Sequence, residues 1–80
     1  MPTIHRSGPY RFYFFSHEPN EPPHVHIDRD EATAKVWLHS LELARSRGFR
    51  PKEINAILGI VAEHRTLLLE AWHDYFGPSD

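Results

Sequence analysis

The fold of this chain turns on one stretch, His24-Val25-His26-Ile27-Asp28-Arg29-Asp30-Glu31-Ala32-Thr33-Ala34-Lys35-Val36-Trp37-Leu38. Both arms of this stretch place aliphatic residues at alternate positions, the period of a half-buried strand, and Arg29-Asp30-Glu31 is a polar turn between them. The segment reads as a β-hairpin whose register is set by burial. If facing residue numbers have an odd sum, Val25 and Ile27 align with Val36 and Ala34, His26 faces Lys35, and His24 faces Trp37. An even sum would put the histidines in the aliphatic layer, because a one-residue slip turns every side chain to the other face. The odd register is therefore expected. It implies an apolar layer on one side and, on the other, an outward polar face of His24, His26, Asp28 and Lys35 edged by Trp37.

Upstream, Thr3 to Arg6 reads as a short strand closed by Ser7-Gly8-Pro9, a turn in which glycine admits positive φ and proline fixes its own. Tyr10 to Ser16 follows as an aromatic strand, with Phe12 and Phe14 on one side and Arg11, Tyr13 and Phe15 on the other. Three prolines stiffen His17 to Pro23 into a loop. Near residue 40 the period changes. Ser40 is a candidate N-cap for a helix starting at Leu41, with Glu42 near its positive end and Gly48 as the left-handed C-cap. Pro51 suits the first turn of a second, longer helix whose apolar stripe runs Ile54, Ile57, Leu58, Val61, Leu68, Leu69, Trp72 and Phe76, and Gly77-Pro78 ends it. The expected fold class is α+β: one domain over residues 1–80, with an N-terminal antiparallel sheet of three or four strands packed by two C-terminal helices, the second long.

Eighty residues bury roughly 60% of the surface exposed by the unfolded chain, so stability is marginal and partner binding is in keeping with the size. The absence of cysteine removes disulfide scaffolds and thiolate zinc sites. With no apolar run of membrane-spanning length and no signal-peptide core, the expectation is a soluble, cytoplasmic protein. Nine basic and eleven acidic residues give a formal charge of −2, unlike a dedicated DNA-binding domain. Arg45, Arg47, Arg50 and Lys52 nevertheless form a local cationic run free of acids, read here as a solvated turn between helices.

Three readings of the polar face stay open. His24 and His26 supply two nitrogen ligands from one strand, so zinc or another divalent metal is one, with Asp28, His17, Glu18 or Glu21 as the third ligand. Alternatively, the two imidazoles act as an acid–base pair in metal-independent RNA cleavage, with Lys35 steadying a phosphate. The third is structural: histidines beside Pro22-Pro23 that bond loop carbonyls or Asp28 and hold the chain path. No Gly-x-Ser-x-Gly and no glycine-rich phosphate loop accompanies them, so no cofactor is implied.

Met1-Pro2-Thr3-Ile4, Tyr10-Arg11-Phe12-Tyr13-Phe14-Phe15-Ser16, Asn20-Glu21-Pro22-Pro23-His24-Val25-His26-Ile27, Ala34-Lys35-Val36-Trp37-Leu38, Leu43-Ala44-Arg45, Gly48-Phe49 and Leu67 to Phe76 follow one another in an order that resembles the bacterial domain of unknown function 4160 family. Relatives tend to carry glycine at the hairpin turn, where this chain has Arg29-Asp30-Glu31. The resemblance implies a small protein that works with a cognate protein partner in a toxin–antitoxin-like pair. The partner it suggests is a domain of unknown function 2442 protein, with RNA as target and a homodimer as a further association.

Overall fold

The computed structural model describes residues 3–14 and 21–77, and within them five strands precede two helices. The strands β1 (Thr3–Ser7), β2 (Tyr10–Tyr13), β3 (His24–Arg29), β4 (Ala32–Trp37) and β5 (Leu43–Arg47) form one antiparallel meander in chain order. The helices α1 (Pro51–Glu63) and α2 (Arg65–Phe76) follow. The α+β layout, sheet first and helices last, is thus the one expected, with one more strand than the upper count. Phe15 and Ser16, expected at the end of the second strand, and His17 and Glu18, candidate metal ligands, lie outside the described residues.

The central hairpin adopts the odd register, pairing His24 with Trp37, Val25 with Val36, His26 with Lys35 and Ile27 with Ala34. Asp30 provides the positive φ of the two-residue turn, at 55°, which a short polar side chain tolerates better than most. The missing glycine therefore does not shift the pairing. At the first turn Ser7 pairs with Tyr10 around Gly8, whose φ is 58°.

One face of the sheet carries Phe12, Phe14, Val25, Ile27, Val36 and Leu38, which meet Ile57 and Val61 of α1 and Leu68 and Trp72 of α2 in a fully buried core. Leu58, Leu69 and Phe76 complete the helical stripe at partial burial. The apolar layer is the one the alternation predicts, closed by the stripe the 3.6 period predicts.

Two corrections concern the second half. The segment expected as a helix from Leu41 is instead the edge strand β5, which extends the meander beside β4. Its cap signals serve other ends. Ser40 Oγ accepts from the Glu42 backbone N–H at 3.3 Å, a local turn bond instead of a helix cap. Gly48 does take positive φ, at 88°, but at the end of β5, where its backbone passes so close to Ala32 that a Cβ would lie 3.1 Å from that residue. Leucine, alanine and arginine are good helix formers, but intrinsic preference spans only about 0.7 kcal/mol per residue, and pairing with β4 overrides it. Secondly, the long helix is interrupted at His64 (φ −106°, ψ 17°), leaving helices of 13 and 12 residues. The His64 ring Nδ1–H and backbone N–H both donate to the Ile60 carbonyl at 3.0 Å, and the ring lies 4.4 Å from that of His5 on β1.

Two side chains tie the helices to the sheet. Glu53, in the first turn of α1, receives Arg29 Nε at 2.7 Å and Nη2 at 2.8 Å. Arg65, opening α2, donates to the carbonyls of Leu38 and His39.

Candidate functional site

The face of the sheet away from the helices is built by the alternate residues of the same strands. Across it runs one row of Arg11, Asp28, Thr33 and Arg47, and beside it a second of Tyr13, His26, Lys35 and Arg45. His24 and Trp37 lie at its far end, and Arg6 pairs with Arg11 at the β1 edge.

The two histidines project together, as their spacing requires, with ring centroids 5.1 Å apart. They are not solvent-facing: His24 is 0% and His26 3% exposed, and Lys35 only 8%, which corrects the expected outward layer. Aromatic neighbours account for the burial. The His24 ring stands against Trp37 at 5.5 Å and against Trp72 of α2 at 5.0 Å, while the His26 ring stacks on Tyr13 at 5.5 Å.

His24, Lys35 and Tyr13 each have a defined polar partner, as burial demands, whereas Arg11 Nε is buried with no hydrogen-bond partner among the described residues. His24 Nδ1 lies 2.9 Å from the Pro22 carbonyl oxygen, an acceptor only, so this nitrogen carries the proton and donates. The proline loop thereby sets the His24 tautomer. Lys35 Nζ donates to Glu21 Oε1 at 2.5 Å and rests 4.7 Å above the Trp37 ring. The Tyr13 hydroxyl donates to both oxygens of Asp28 at 3.0 Å, and burial followed by that carboxylate pushes its pKa above the usual 10.0, so it stays a neutral donor at physiological pH.

Of the residues singled out for chemistry, His24, His26 and Lys35 are adjacent but differ in access. His24 is enclosed by rings, whereas His26 and Lys35 border an open pocket of about 420 Å³. Its other walls include Tyr13 and Thr33 and, from β5, Arg45 and Arg47. Asp28, the third member of the metal set, directs its carboxylate to Tyr13, and among the described residues no three His, Asp or Glu side chains converge as a group able to hold a metal ion.

Arg45 and Arg47 are the site residues that sequence reasoning misplaced. Assigned to a helix, they point to different faces; on a strand, positions i and i+2 share one. The available signal was the acid-free run itself, whose meaning depends on the element that carries it. Arg11, Arg45 and Arg47 have no carboxylate partner among the described residues, and Arg11 instead lies over the Tyr13 ring at 4.6 Å. Five of the nine Lys and Arg residues, namely Arg6, Arg11, Lys35, Arg45 and Arg47, therefore share one face of a chain whose formal charge is −2.

The structure defines a small α+β domain with one helix-covered sheet face and one polar, cation-rich face. The sequence pattern of the family described as Domain of unknown function (DUF4160) matches residues 10–73, and the chain belongs to that family. No curated protein and no solved structure matches it. Among the described residues no helix is long and apolar enough to cross a membrane.

Proposed function

We propose that this domain binds single-stranded RNA through the polar face of its sheet. The observation that carries the reading is the gathering of Arg6, Arg11, Lys35, Arg45 and Arg47 on one side, four of them, all but Lys35, without carboxylate partners among the described residues. Phosphate neutralisation supplies most sequence-independent nucleic-acid affinity, and what matters for it is local cation density, not net charge. A sheet surface with Trp37 partly exposed at its end suits unstacked bases better than a duplex, whose grooves call for a projecting helix or ribbon. Within this reading the enclosed His24 positions its neighbours, and His26, bordering the pocket, is the imidazole nearer to bound RNA.

Fluorescence anisotropy with a labelled 12-nucleotide single-stranded RNA, titrated across a salt series, tests this. Arg45→Glu with Arg47→Glu should weaken binding by at least tenfold and flatten the slope of log K against log salt by about 1.4, at roughly 0.7 for each phosphate no longer neutralised. Lys52→Glu, on the exposed side of α1, should leave both unchanged. Equal losses in the two variants, or no saturable binding at low salt, would overturn the proposal.

A second reading, protein-partner binding, is favoured by the outer side of α2. Leu67 and Tyr75 are 46% and 44% exposed, and Ala71 lies between them at helical spacing. Exposed Glu70 and Asp74 border that ridge. Such a surface fits an amphipathic partner helix whose apolar stripe is flanked by lysine or arginine. Co-expression with a domain of unknown function 2442 protein should yield a complex on size exclusion that Leu67→Glu with Tyr75→Ala dissolves, and a complex indifferent to that pair of changes would place the partner elsewhere.

A further inference from the structure

Resting on the RNA reading of this face, we infer that the pocket beside β5 is an end-binding subsite that takes the phosphomonoester of a nucleotide, carried by a terminus of an RNA chain or by a free mononucleotide. Three features of the pocket argue for an end over a passing backbone.

Shape is the first. Sites that track a nucleic-acid backbone are grooves, whereas this is a concavity of about 420 Å³, within the range of sites that enclose a small ligand. Charge is the second. Arg45 and Arg47 occupy successive positions of one strand face, roughly 7 Å apart along the strand, and both line the pocket without a carboxylate partner among the described residues. Two guanidiniums match a monoester, which carries about −1.5 to −2 near neutral pH, better than a diester with its single charge.

The surroundings are the third. Toward β2 the pocket is bounded by Tyr13, whose hydroxyl is held by Asp28, and Lys35 is already neutralised by Glu21. Elsewhere on the face these carboxylates compete for the cations, so the doubly charged end of an RNA chain is held best between Arg45 and Arg47, which the exposed β5 strand leaves open, while the rest of the chain follows the remaining cations of the face.

Isothermal titration of the full chain with four probes decides the matter: an eight-nucleotide RNA with a 5′-phosphate, the same RNA with a 3′-phosphate, the same RNA with hydroxyls at both ends, and adenosine monophosphate. At least one phosphorylated RNA should bind tenfold or more tightly than the doubly hydroxylated one, and Arg45→Gln or Arg47→Gln should erase the preference while circular dichroism stays unchanged. Binding of adenosine monophosphate in competition with the phosphorylated RNA would assign the same subsite to the free nucleotide, and its failure to compete would assign it to RNA ends. If all three RNAs bind equally, the subsite is wrong and the RNA reading stands. Should adenosine monophosphate alone bind, the RNA reading fails and the phosphomonoester site remains; if nothing binds, both fall.

Discussion

On the helix-covered side of the sheet, the side chains of Phe12, Val25, Ile27 and Val36 meet those of Ile57, Val61 and Leu68, all without polar groups, and the ring of Trp72. On the other side their immediate neighbours Tyr13, His24, His26 and Lys35 are nearly as buried, and there Pro22, Glu21 and Asp28 must receive their protons. The first face is stabilised by apolar area, which tolerates shape-conserving exchange; the second depends on specific partners, and a buried donor or acceptor left alone costs about 1–3 kcal/mol. Burial alone therefore does not distinguish a core from a site. The open part of the polar face lies where partners run out, at Arg45 and Arg47 on the edge strand.

The two faces are joined at Trp72, whose ring lies 5.2 Å from Phe14 in the core and 5.0 Å from His24 at the end of the polar face. Trp72→Ala should have the largest effect on stability, about 3–5 kcal/mol in urea denaturation, because it empties a fully buried aromatic site. A loss below about 1 kcal/mol would mean that the two faces are not joined through this ring. His24→Ala probes the polar side alone: it removes the donor to the Pro22 carbonyl and should cost roughly 1–3 kcal/mol, against little for the exposed His39→Ala. Equal midpoints for those two variants would show that the polar face is surface after all.

The smallest effect is expected where the hairpin meets α1. Arg29 holds the Glu53 carboxyl below the usual 4.5, so the pair contributes above that pH and its contribution fades as pH falls through the lowered Glu53 value. Glu53→Gln should accordingly lower the melting temperature slightly at pH 7, and the gap to the parent should narrow progressively as pH falls below 4.5. A gap that does not narrow with falling pH would assign the effect to packing instead of charge.

The resemblance to the family was legible in the ordered motifs and extends over residues 10–73. The hairpin register was legible because only one alignment of residues 24–38 keeps Val25, Ile27, Ala34 and Val36 together, and the helical stripe because Ile57, Val61, Leu68 and Trp72 repeat at helical spacing. What failed was the exposed segment 43–47, where no residue is buried and no pattern of burial marks the element. Ser40 and Gly48 misled for a sound reason. A hydroxyl that accepts from a backbone N–H two residues on, and a glycine with positive φ, serve strand turns as well as helix ends.

By itself, then, the sequence determined the side of each strand on which the apolar residues lie, since alternation is a property of the backbone and needs no neighbour to express it. Only the tertiary structure decided that β5 is a strand, that Arg45 and Arg47 share a pocket with His26, and that His24 is sealed by Trp37 and Trp72. Each of these depends on packing between residues distant in the chain, whose energies exceed the few tenths of a kcal/mol per residue by which local preference separates helix from strand.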